Sequence, residues 1–337
     1  MRHLLMTCLA VFTLLATSPR ADAQTAPQVV TDIAPVHAMV ARVMDGVGTP
    51  ELILPQKASP HGYAMRPSQA RMVQDAQLVV WVGPGLTPWL EDVVAKLAPD
   101  APQLILLELE GTGLLDIRDE QAFFEDAHSE DHSENHSEDH SEDHGEDQGH
   151  DHGHDHGHDH GHDHGDGSAD PHAWLDPENA ALWMGAMAEA LATVDPDNAA
   201  IYRQNAQEAR TEMAELVAEV TQRLTATPAA RFVVSHDALH YFEARFDRFS
   251  DGAVTNTDAA TAGAAHLARL RDHMVEQDIA CLLVEPGTPT DRLNAVFGDD
   301  LQFSEVDILG WDQPLGAALY PSLIRSIADN LLRCTTR

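Results

Sequence analysis

Residues 78–85 read Leu-Val-Val-Trp-Val-Gly-Pro-Gly, and the fold class follows from them. Five apolar residues without alternation describe a strand buried on both faces, and Gly83-Pro84-Gly85 stops it. Upstream, a helix is expected from about Ser68, with Ser68 as its N-cap and Pro67 just before. Downstream, Trp89 to Leu97 reads as helix and Leu104 to Leu107 as a second buried strand. Two more β-prone runs, Gln28 to Thr31 and Glu51 to Leu54, flank a helical stretch from Ala38 to Met44. Strands alternating with helices imply parallel βαβ units.

A similar series fills the C-terminal third. Strands are expected at Arg231 to Val234, Ile279 to Val284 and Ser304 to Leu309. Helices are expected at Leu239 to Phe246, Asp258 to Glu276, Asp291 to Phe297 and Leu315 to Leu332. Between the two series, Glu178 to Val194 is helical and Asp195-Pro196 interrupts it. From Asp197 to about Ala226 the chain reads as one long helix. Tyr202, Ala206, Ala209, Met213, Leu216, Val220 and Leu224 recur at spacings of three and four, which marks one buried stripe. Roughly 30 residues at 1.5 Å each span ~45 Å, about a domain diameter. Such a helix either braces two lobes or packs within one. The 337 residues suffice for two domains.

Residues 128–164 are of another kind: HSEDHSENHSEDHSEDHGEDQGHDHGHDHGHDHGHDH. Thirteen of the 21 histidines lie here, eight of them at His150, His152, His154, His156, His158, His160, His162 and His164. With almost nothing apolar to bury, the loop 125–169 is expected to be disordered. Imidazoles interleaved with carboxylates make it a weak, multivalent site for a divalent metal, zinc, copper, nickel or iron rather than calcium or magnesium. Net charge is −35, and 17 acids fall between Glu125 and Asp170. No basic patch exists for nucleic acid.

Residues 1–23 read as a cleavable export signal: Arg2, an apolar core from Leu4 to Ala16, then Ala21-Asp22-Ala23. The expected destination is the periplasm. Removal of Cys8 leaves Cys281 and Cys334, an even pair in an oxidising space. They either form a bridge or remain two free buried thiols; a bridge would stabilise by ~4 kcal/mol on the chain-entropy estimate.

In open α/β sheets, ligands sit beyond the carboxyl ends of the strands. His61 follows the 51–54 run, His236 follows the 232–234 strand, and His172 lies where ordered sequence resumes. Three imidazoles leave one position of a tetrahedral zinc open. Each ring needs its second nitrogen held, and Asp237 and Asp176 are nearby candidates. His240 lies four after His236 and could share its helical face, though a packed or solvated role fits it better; His37, His266 and His273 lack such context.

The segments SPHGYAMRPSQARMVQDAQLVVWVGPGL, DPHAWLDPENA, VVSHDALHYFE and LLVEPGTP resemble those of periplasmic zinc-binding receptors of ATP-binding-cassette importers, the ZnuA type. The resemblance covers essentially the whole chain after residue 23. It implies an α/β fold of two βα lobes with parallel sheets, joined by one long rigid helix, with metal in the cleft between them. The lobes would be 24–196 and 227–337, and the linking helix 197–226. It implies His61, His172 and His236 as zinc ligands and Cys281–Cys334 as a disulfide. The fourth ligand would be Asp312, Glu285 or a water. Two departures stand out. Pro60 occupies a place where some members have a carboxylate. Asp312-Gln313-Pro314-Leu315-Gly316 carries one residue more than the family motif. The implied role is capture of Zn²⁺ for a membrane permease by a monomer that is not an enzyme. The rival readings are a zinc hydrolase or hydratase, for which no HExxH motif is present, and a manganese receptor, whose members use two histidines and two carboxylates.

Overall fold

The computed structural model describes residues 26–118, 123, 169–256 and 262–334. The expected signal and the histidine tract therefore lie outside the described residues. Two four-stranded sheets carry the fold, and every pairing within them is parallel. The first contains β1 (Val29–Thr31), β2 (Glu51–Leu52), β3 (Leu78–Trp81) and β4 (Gln103–Ile105), in the order β2-β1-β3-β4. The second contains β5 (Val233–His236), β6 (Ala253–Thr255), β7 (Cys281–Val284) and β8 (Gln302–Glu305), in the order β6-β5-β7-β8. The same frame is thus built twice.

The crossovers are helical: α1 (Ala34–Val43), α2 (Pro67–Gln74) and α3 (Pro88–Leu97) in the first lobe. The second lobe has α6 (His240–Phe246), α7 (Ala264–Glu276), α8 (Thr290–Phe297) and α9 (Leu319–Arg333). Between them run α4 (Pro177–Val194) and α5 (Ala199–Thr225), the latter 27 residues and so ~40 Å long. All seven residues of the expected stripe on α5 are buried. They join one apolar core that also takes in Val36 and Met39 of α1 and Leu323 and Ile327 of α9. Ion pairs repeat the attachment on the surface. Arg42 of α1 holds Glu208 and Glu212, Arg325 of α9 holds Glu219, and Arg223 holds Asp329. The long helix is therefore fastened to both lobes.

Several local expectations shift. Pro67, not Ser68, opens α2: it occupies the first helical position and Arg66 is the cap. The expected strand at 104–107 bends into a 3-10 turn at Leu106–Glu108. The strand expected at 304–309 lies at Gln302–Glu305, and α9 begins at Leu319 rather than Leu315. Gly310 and Gly316, both at positive φ, bracket the loop between. β6 has no counterpart among the expected strands, because three residues between Gly252 and Asn256 give no readable period. Cys281 and Cys334 are disulfide-bonded across 53 residues, tying the end of α9 to the start of β7.

A sheet of this order reverses direction between its first and third strands, and the crevice beyond that point is where ligands collect. In the first lobe the crevice is filled from within. Asp32, just past β1, accepts the backbone N–H of Ile33 at 2.8 Å and of Val82 at 2.9 Å. Complete burial pushes its carboxyl from the ordinary 3.8 up to about 7, against those hydrogen bonds.

Candidate metal centre

The corresponding crevice of the second lobe lies between β5 and β7. His236 is the last residue of β5, in register with Thr255 of β6. Glu285 follows the end of β7, and its Oε1 lies 2.8 Å from Nδ1 of His236. A carboxylate only accepts, so Nδ1 carries the proton and Nε2 keeps its lone pair. That is the tautomer a metal ligand needs.

His172 reaches the same state locally. Asp170 folds back in the Asp170-Pro171-His172 turn, and its Oδ1 takes both the backbone N–H of His172 at 2.9 Å and Nδ1 at 2.6 Å. Both residues are buried. The turn runs into a 3-10 segment, Ala173–Leu175, anchored by the fully buried Trp174. The Trp174 Nε1–H donates to the Ile308 carbonyl at 3.0 Å, and its ring lies 5.2 Å from that of His172. Tyr320 of α9 donates to the Trp174 carbonyl at 2.8 Å. Both hydrogen bonds tie the segment after His172 to the second lobe.

His61 belongs to the irregular connection between β2 and α2 and is half-buried. Trp89 Nε1–H holds the preceding carbonyl, that of Pro60, at 2.7 Å. Tyr63 stacks obliquely on Trp89 at 5.6 Å and donates to Gln69 at 3.0 Å.

The three rings converge. His172 and His236 have centroids 5.0 Å apart, and His61 and His172 have centroids 6.3 Å apart. Two imidazoles bound through one nitrogen each to a tetrahedral zinc at ~2.1 Å would place their centroids roughly 5 Å apart. The His172–His236 pair already meets that spacing. His61 stands about one ångström too far on the same estimate. Accordingly, among the described residues no set of three ligating side chains already stands in position to hold an ion.

Other expected participants are engaged elsewhere. Asp237, expected to steady a ring, is gripped by Arg118 through Nε at 3.0 Å and through Nη2. Asp176 caps α4 by accepting the Glu178 N–H at 2.9 Å and is held by Arg245 at 2.7 Å. The carboxylates that do hold the rings are Asp170 and Glu285. Asp312 is ion-paired with Lys57, and its side chain is 79% exposed. His37 and His266 are buried against the Pro50 and Ala253 carbonyls at 3.1 and 2.8 Å. Burial, then the nearby Arg118, lowers the His240 ring below the ordinary imidazole value. Arg118 also holds Glu243 at 2.7 Å. Burial by itself would lower its guanidinium; Asp237 and Glu243 outweigh that and raise it.

With this geometry in hand, comparison with known proteins decides the family. The family model described as "ZnuA: Zinc-uptake complex component A periplasmic" matches residues 29–334. The chain belongs to the ZnuA family. It is 44% identical over 310 residues to the high-affinity zinc uptake system protein ZnuA of Paracoccus denitrificans (strain Pd 1222), covering 91% of each chain. It is 36% identical over 310 residues to the ZnuA of Brucella suis biovar 1 (strain 1330), covering 92% of each. Among solved structures, it covers 99% of a zinc-bound ZnuA deletion mutant with a TM-score of 0.69 at 19% identity, over 93% of its own length. It covers all of the periplasmic zinc-binding protein TroA from Treponema pallidum with a TM-score of 0.70 at 18% identity, again over 93% of its own length. At that identity the structural likeness concerns the two-lobed fold, which this chain shares with ZnuA and TroA.

Proposed function

We propose that this chain is a periplasmic receptor that captures Zn²⁺ between its lobes with His61, His172 and His236. It delivers the ion to the membrane permease of an ATP-binding-cassette importer. It acts as a monomer and performs no reaction on its cargo. One observation carries the reading: three histidines far apart in sequence bring their rings to 5.0 and 6.3 Å, and two of them have Nδ1 held by carboxylates. Membership of the ZnuA family supports zinc as the ion.

Capture proceeds in two stages. His172 and His236 form the preset half of the site, and the ion then draws His61 inward on its loop. Asp312 is taken by Lys57 and Glu285 by His236, so a water completes the tetrahedron. Three neutral ring nitrogens and a water suit zinc better than manganese, which prefers oxygen ligands. Residues 1–23 direct export, and the lobes and linking helix are 24–196, 227–337 and 197–226. The tract at 128–164 supplies further, weaker sites that raise the local concentration of metal.

Titration of the full-length protein with zinc, against a chelator strong enough to strip the tract, tests the reading. One tight site is expected, lost on alanine replacement of His61, His172 and His236 together and retained when 128–164 is deleted. A tight site that survives the triple replacement refutes the assignment.

A further inference from the structure

We infer that Arg118 is a positioning residue for the metal centre, setting the separation of His172 from His236 across the lobe boundary. The inference rests on the zinc-receptor reading above and adds a residue that neither ring touches.

Residues 109–118 leave the first lobe after β4 and run onto the second. Leu115 N–H donates to the Tyr241 hydroxyl of α6 at 3.0 Å, and Asn256 donates to the Arg118 carbonyl at 2.9 Å. The chain that returns at Ala169 lies antiparallel to this segment. Asp116 bridges Ala169, and the Asp170 N–H donates to the Leu115 carbonyl at 2.8 Å. Asp170 is the residue that holds the His172 ring. The segment therefore carries one ligand's support on its edge.

Arg118 closes the circuit. Its guanidinium grips both oxygens of Asp237, the residue after His236, and with Nη1 it holds Glu243 of α6. The Asp237 N–H donates to Thr255 on β6 at 3.0 Å, so the gripped residue is fixed in the sheet. A chain of bonds thus runs from His172 through Asp170, Leu115, Arg118 and Asp237 to His236. Tyr241 is the second tie, donating to the Asp170 carbonyl at 2.8 Å. Both carboxylates are almost fully buried, and Arg118 is 13% exposed. A planar two-pronged grip in such a place fixes direction as well as distance, which a lysine cannot reproduce. This circuit, together with the Trp174–Ile308 and Tyr320–Trp174 bonds, holds the His172 turn against β5 at the 5.0 Å ring separation that zinc requires.

Two variants of the full-length protein test this. R118K keeps the charge and loses the fork. R118M/D237N/E243Q removes all three charges, so no carboxylate is left buried and unpaired. In each, zinc affinity at the tight site is expected to fall about ten- to hundredfold, the range for supporting residues around a metal. The visible spectrum of one equivalent of Co²⁺ bound there should change, because it reports ligand geometry. The melting temperature of the metal-free triple variant should stay within a few degrees of the parent. If the triple variant does not fold, R118K alone decides. Wild-type affinity, or reduced affinity with an unchanged cobalt spectrum, would overturn the positioning role. Failure of the parent protein itself to take zinc would instead remove the zinc reading on which the role depends.

Discussion

Replacing Asp170 by asparagine tests how much of the affinity is written outside the ligands. Asp170 is 3% exposed, and one of its oxygens receives both the backbone N–H and the ring Nδ1–H of His172. D170N keeps the size and one acceptor but removes the charge. A hydrogen bond to a charged group contributes ~1.5–3 kcal/mol, and a neutral one ~0.5–1.5. The difference grows once zinc draws electron density from the ring, because the carboxylate stabilises the resulting positive charge. An asparagine that presents its amide to Nδ1 also favours the tautomer with hydrogen on Nε2, which cannot bind metal through that nitrogen. These effects predict a ten- to hundredfold loss of affinity, or about 1.4–2.8 kcal/mol. Isothermal titration with a competing chelator measures it, and far-ultraviolet circular dichroism checks the fold. Affinity within about twofold of the parent in a folded D170N protein would show that the carboxylate merely closes a turn and does not set the tautomer of His172.

Three further outcomes follow from the same structure. E285Q should weaken zinc by about tenfold, less than D170N, because Glu285 is 28% exposed and water can replace part of its role; the same competition titration reads it. Serine at both Cys281 and Cys334 should cost ~4 kcal/mol in urea unfolding, since the bridge closes 53 residues, while zinc affinity stays within a few-fold. Asp32 has a carboxyl pushed up to about 7, so the folded state holds its proton more tightly than the unfolded chain does. That contribution is fully present below the ordinary value of 3.8 and is lost as pH rises through 7. Its loss between about pH 5 and 7.5 amounts to roughly 2–3 kcal/mol. Urea unfolding of the parent and of D32N at both pH values should therefore differ in pH dependence by that amount, and equal dependence would refute it.

Much of the framework was legible in the sequence, for a physical reason in each case. The stripe on α5 shows because seven side chains at spacings of three and four have one buried side to occupy. His61 and His236 show because they follow β runs, and His172 because it stands where ordered sequence resumes beside proline and tryptophan. What stayed hidden depends on direction or on distant neighbours. Asp237 is adjacent to His236, yet successive residues of an extended chain point to opposite sides, so adjacency was the wrong guide. Asp170 reaches its ring because a turn, unlike a strand, folds residue i back toward i+2. Glu285 comes to His236 from 49 positions away because β5 and β7 are neighbours, and strand order is not written in either strand. Asp312 gave no local sign that Lys57 would claim it.

The fastening of one rod to both lobes has a consequence for traffic at the membrane. A carrier whose outline is nearly the same laden and empty competes for its docking partner in both states, and empty copies then obstruct loaded ones. Here α5 is locked to α1 and α9 by core contacts and by charge, so little change of silhouette is available. On the proposed reading, the stretch around His61, whose ring stands 6.3 Å from that of His172, is the described segment through which the presence of an ion would be displayed.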